Sequence, residues 1–81
     1  MHKQAPLKIG DRIKLINMID DPDPIKPGTL GTVRRVLPWL DEWTVYMEWD
    51  GGRTLSMCLP GDTYELVVAA PAQSISSQPA L

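Results

Sequence analysis

Trp43, Val45, Met47 and Trp49 alternate with Thr44, Tyr46, Glu48 and Asp50, and Leu55, Met57 and Leu59 repeat the same period after two glycines. A period of two puts one row on each face of a strand, so this stretch predicts a hairpin with an apolar inner face. Parity decides its turn. A two-residue Gly51-Gly52 loop sets Trp49 opposite Thr54 and throws the two apolar rows onto opposite faces. A three-residue Asp50-Gly51-Gly52 loop sets Trp49 opposite Arg53, Met47 opposite Leu55, Val45 opposite Met57 and Trp43 opposite Leu59, with Gly52 at the left-handed bulge position. The three-residue register is the prediction.

Between Leu7 and Met18, Ile13 and Leu15 alternate with Arg12 and Lys14, which predicts a strand with its basic side chains outward. Thr32 to Leu37 predicts a second strand, in which Val33 and Val36 share a face only if a bulge falls near Arg34-Arg35. Pro38 is expected to stop that ladder and leave Pro38 to Glu42 as a connector. Pro60-Gly61-Asp62-Thr63 reads as a turn with room for one 3₁₀ turn, and Tyr64 to Val68 as a last strand with Leu66 and Val68 inward.

Between the first two strands lie Pro22, Pro24 and Pro27, which exclude helix and central strand and hold the chain extended as a surface loop. Pro27-Gly28 is a tight turn by its chemistry, and Gly31 marks either a bulge or a close backbone approach. Strand, long loop, strand, connector, hairpin, short turn and strand is the order of an all-β, five-stranded SH3-like barrel with a long Pro/Asp-rich first loop. The barrel is expected over residues 7–68, after a flexible segment 1–6. From Ala69 to Leu81 the chain has no charged side chain and is rich in Ala, Pro, Ser and Gln, which predicts a disordered tail.

With 81 residues there is one domain, and a barrel of roughly 60 residues buries only about 60% of its unfolded surface. One cysteine and one histidine, Cys58 and His2, allow neither an internal disulfide nor a zinc cluster, and no signal peptide or bilayer-length apolar run is present. These features predict a soluble cytoplasmic chain without membrane contact. A net charge of −2 disfavours a broad basic footprint for nucleic acid.

The run Gly10-Asp11-Arg12-Ile13, the string Asp20-Asp21-Pro22-Asp23-Pro24-Ile25, Pro27-Gly28-Thr29, Gly31-Thr32-Val33, and later Trp49-Asp50-Gly51-Gly52-Arg53 and Leu59-Pro60-Gly61-Asp62, together resemble domain-of-unknown-function family 4314 of bacteria and phages. The resemblance spans about Leu7 to Leu66. It implies a small SH3-like barrel of a kind carried on mobile elements, and it brings no established activity. The chain departs from that pattern in its apolar Pro38-Trp39-Leu40 insert and at Gly52, near which the pattern carries asparagine.

Candidate chemistry is sparse. Cys58 has no histidine partner in the barrel, and no Ser, His and Asp set or acidic pocket is evident, so a non-enzymatic chain without cofactor or metal is expected. Asp20, Asp21 and Asp23, with Pro24, form a rigid acidic projection; its aspartates either cap turn amides or face a basic partner. Trp39 and Leu40 read either as an interface anchor or as a lid over one end of the barrel. Tyr46, on the outer row, can add to a binding face. Arg34, Arg35 and Arg53, with the amides of residues 28–32, offer an anion or nucleic-acid site if they share a face, and Arg53 is expected to stack on Trp49. A protein partner is the leading expectation, with a nucleic acid, a small phosphorylated ligand or a homodimer as alternatives.

Overall fold

A computed structural model describes residues 4–19 and 21–70. The alternating stretch forms β3 (Glu42–Trp49), between β2 (Leu30–Trp39) and a short β4 (Met57–Leu59). With β1 (Arg12–Asn17) and β5 (Thr63–Val68) they make one antiparallel sheet ordered β4-β3-β2-β1-β5, the strand order of an SH3-like barrel. There is no helix among the described residues, and none long and apolar enough to cross a membrane. Residues 1–3 and the expected tail beyond Ala70 lie outside the described residues.

Where β3 and β4 pair, the register is the predicted one, although β4 is confined to Met57–Leu59 and the expected Met47–Leu55 pair is not part of the ladder. Trp43 pairs with Leu59 and Val45 with Met57. At the turn, the Trp49 amide donates to the Arg53 carbonyl at 2.8 Å and the Gly52 amide to the Trp49 carbonyl at 2.8 Å, with Gly52 at φ +99°. The bulge in β2 is also present: the ladder steps from Val33 and Met47 to Arg35 and Tyr46, so Arg34 is the extra residue. That slip lets Val33 and the partly buried Val36 both join the core. Pro27-Gly28 turns the chain with Gly28 at φ +90° and the Thr29 amide on the Lys26 carbonyl.

Three expectations are corrected. The first strand begins at Arg12 rather than near Leu7, because Ile9 and Gly10 form a turn with Gly10 at φ +94°. Pro38 does not stop the ladder: β2 continues through it, with Pro38 opposite Trp43 and Trp39 opposite Glu42. Alternate residues of an antiparallel strand turn their N–H away from the partner, and β1 pairs with β2 only at Leu30 to Thr32, so on that side a proline breaks no ladder. Finally, Leu66 and Val68 do not enter the core; they are 49% and 58% exposed. A register shift between Val68 opposite Arg12 and Leu66 opposite Ile13 throws Val68 outward, and β5 is an edge strand with nothing to cover Leu66 among the described residues.

The core is built from Ile13, Leu15, Val33, Val45, Met47, Trp49, Met57 and Leu59 of the strands, and from Leu7, Met18 and Ile25 of the loops. Met18 and Ile25 explain why the proline-rich segment is ordered: it packs along the β4 side of the sheet. One end is held by buried Asp62, whose carboxylate accepts the Ile19 amide at 2.9 Å and the Cys58 amide at 2.9 Å. At the other end Arg53 donates to the Asp23 carbonyl at 2.9 Å.

Candidate functional site

The β2–β3 hairpin ends in a two-residue turn, Leu40-Asp41, and carries an outward row on each strand. Register and bulge together place Arg35, Leu37 and Trp39 on one strand opposite Tyr46, Thr44 and Glu42 on the other. Trp39 is 63% exposed and Leu40 is 87% exposed, so the pair stands out at the tip and does not lid the barrel. Leu40 has φ +56°, the left-handed region that a leucine enters at a cost of roughly 1–2 kcal/mol. Tyr46 is 40% exposed, with the Arg35 guanidinium 5.9 Å from its ring centroid. Trp39, Leu40 and Tyr46 thus belong to a single hairpin.

The acidic loop divides. Asp21 caps its own turn, accepting the Asp23 amide at 2.8 Å, and borders a recess of about 260 Å³ shared with Glu42, Cys58 and Asp62. Asp23 turns the other way and pairs with Arg53 at 3.6 Å, beside Pro24 and Ile25. Asp20 lies outside the described residues. The turn-capping reading therefore holds for Asp21, and of the two described loop aspartates Asp21 is the one on the side of Glu42, the residue opposite Trp39.

The three arginines do not share a partner. Arg34 lies 3.6 Å from Glu48, Arg35 is over Tyr46, and Arg53 is engaged by Asp23 rather than stacked on Trp49. Of the loop amides expected to cradle an anion, Gly28 donates to the Leu15 carbonyl and Thr29 to the Lys26 carbonyl, which leaves these two committed. Among the described residues, no group of three or more His, Cys, Asp or Glu side chains is arranged to hold a metal ion.

A family model, Domain of unknown function (DUF4314), matches residues 3–67. The chain belongs to this family. No curated protein and no solved structure matches it. Motif residues of the DUF4314 resemblance turn out to hold the barrel together. Asp11 is buried and accepts the Lys8 amide at 2.8 Å and the Ala70 amide at 2.7 Å, tying the start of β1 to the end of β5. Burial by itself raises its carboxyl, but the Ala70 and Lys8 amides and the Lys8 ammonium outweigh that and hold it below the ordinary 3.8. Arg12 grips Asp50 through two bonds of 2.7 Å, which holds the Asp50 carboxyl low.

Sequence reasoning missed a second feature of this DUF4314 barrel. A groove of about 520 Å³ opens between the starts of β3 and β5, with Trp43, Leu59, Pro60 and Tyr64 in its walls. Trp43 and Tyr64 are only partly buried. The alternation had assigned Trp43 to the core, and nothing in the chain's periodicity says that β4 and β5 leave a seam unpaired beside it.

Proposed function

We propose that this chain is a non-enzymatic protein-binding module that docks its partner through the tip and outer face of the β2–β3 hairpin. The observation that carries this reading is the exposure of Trp39 and Leu40 at the end of a ladder paired up to its last residues. An exposed tryptophan beside a leucine held in a left-handed conformation costs stability in the free chain, whereas glycine at that turn would avoid the strain. A large apolar anchor on a preorganised hairpin is the residue type and setting that interfaces use, because little side-chain and loop entropy remains to be lost on binding. Leu37 and the Arg35–Tyr46 pair extend the surface along the same face, with Asp21 near its rim. We place the module in the cytoplasm, as an accessory or inhibitory factor of a phage or mobile element.

Affinity capture from native host lysate, with and without nuclease, tests this. Trp39→Ala and Leu40→Gly remove the anchor without touching the core, and Leu40→Gly also relieves the strained φ. A nuclease-resistant protein partner lost by both variants is the expected result. Retention of that partner at full affinity by both folded variants, or a capture that nuclease abolishes, overturns the reading.

A further inference from the structure

The groove beside Trp43 adjoins the Trp39–Leu40 tip through Asp41 but has a chemistry of its own. It exists because β4 is only three residues long and does not pair with β5, leaving the inner faces of Trp43 and Tyr64 partly uncovered on either side of Pro60. Its charge is one-sided. Among the described residues its charged wall side chains are both acidic, Asp41, exposed in the hairpin turn, and Asp62, buried with both oxygens accepting amides, and no described lysine or arginine lines it. The remaining wall comes from the chain's own Gln4 and Pro6, so a proline already stands within this aromatic recess. Among the described residues the Trp43 indole N–H has no acceptor, whereas that of Trp49 donates to the Leu55 carbonyl at 2.7 Å.

We propose that this groove binds an extended, proline-containing segment of a partner protein that carries a lysine or arginine. A polyproline II segment has no internal hydrogen bonds, so its carbonyls are free for donors such as the Trp43 indole, and its pyrrolidine rings pack on tryptophan and tyrosine faces. The stiffness of such a segment keeps the ordering cost of binding low. Asp41 supplies the complement to the basic side chain and sets its position along the groove. The chain's own residues 71–81 contain two prolines but no charged side chain, and so do not meet the charge requirement.

The test is an NMR titration of the ¹⁵N-labelled full chain with two blocked peptides: a proline-rich nonamer carrying one arginine, and the same nonamer with glutamate in its place. The three tryptophan indole signals report separately on tip, groove and core. The expected result is saturable shifts at the Trp43 indole and at the amides of Asp41, Thr63 and Tyr64, with the arginine peptide binding at least about fivefold tighter. Asp41→Lys, in an exposed turn, leaves the spectrum of the free fold intact and reverses that ranking. The absence of shifts up to millimolar peptide, shifts confined to Trp39 and the outer face, or an unchanged ranking in Asp41→Lys overturns the proposal. The two readings fail separately: Trp39→Ala removes the tip anchor and keeps every wall residue of the groove, and shifts confined to Trp39 and the outer face sink the groove while leaving the tip reading standing.

Discussion

The indole of Trp49 lies so close to Gly31, its ladder partner across β2 and β3, that a Cβ at Gly31 would stand 2.6 Å from Cε3. The ring has nowhere to go, because it is fully buried and its Nε1–H is bonded to the Leu55 carbonyl. Gly31→Ala therefore overpacks the core and costs about 1–3 kcal/mol. Urea unfolding measures this as a lower midpoint at unchanged slope, and an unchanged midpoint would contradict the contact.

Asp62 satisfies two amides from different elements, Ile19 at the start of the proline loop and Cys58 in β4. Asp62→Ala leaves both donors without a partner in a largely buried setting, at about 1–3 kcal/mol for each. Asp62→Asn keeps one acceptor oxygen and should fall between the two. Hydrogen exchange at the Ile19 amide is the direct readout: in Asp62→Ala it accelerates beyond what the global loss of stability explains, and equal protection would show that the clamp is dispensable.

Asp11 makes the fold sensitive to acid. Its folded-state carboxyl is held below the ordinary 3.8, so the stabilisation it brings is fully present above that value and is lost as pH falls through the lower folded-state value. Wild type is therefore expected to be more stable than Asp11→Asn at pH 7, and the gap narrows towards pH 2. A gap that is constant over this range would mean that the carboxylate's charge contributes nothing.

Cys58 is exposed, but its surroundings disfavour the thiolate. Partial burial, and then the carboxylates of Asp62 and Glu42, push its thiol up from the ordinary 9.0. Since the thiolate is the nucleophile, the pH profile of iodoacetamide alkylation should have its midpoint above 9.0, and Glu42→Gln should lower it. A midpoint at or below that of a free thiol would rule out this electrostatic setting.

Much of the barrel was legible in local chemistry. Strict alternation in β3, the parity of the Asp50-Gly51-Gly52 turn, the Val33 to Val36 spacing that demands a bulge, and Pro27-Gly28 each constrain the backbone through neighbours a few residues away. The candidate site was legible only in pieces. Trp39, Leu40 and Tyr46 do share one hairpin, but that follows from β2 running through Pro38, which depends on which side of the strand lacks a neighbour. Asp21 and Asp23 are two residues apart and face opposite ways, because Asp23 is claimed by Arg53, thirty positions downstream.

The sequence by itself determined that there are five strands, the inward rows of β1 and β3, the bulge in β2 and the turns at Pro27-Gly28 and Asp50-Gly51-Gly52, since periodicity and turn residues act over short stretches of chain. Tertiary structure alone decided what each edge of the sheet meets. The β4 side is closed by the proline loop through Met18, Ile25 and the Asp62 carboxylate. Among the described residues, the outer edge of β5 has no neighbouring strand, and that is why Leu66 lies exposed and why a groove opens beside Trp43 and Tyr64, while the register shift against β1 turns Val68 outward. Burial at a sheet edge depends on a partner contributed from far along the chain, and no local pattern encodes whether that partner arrives.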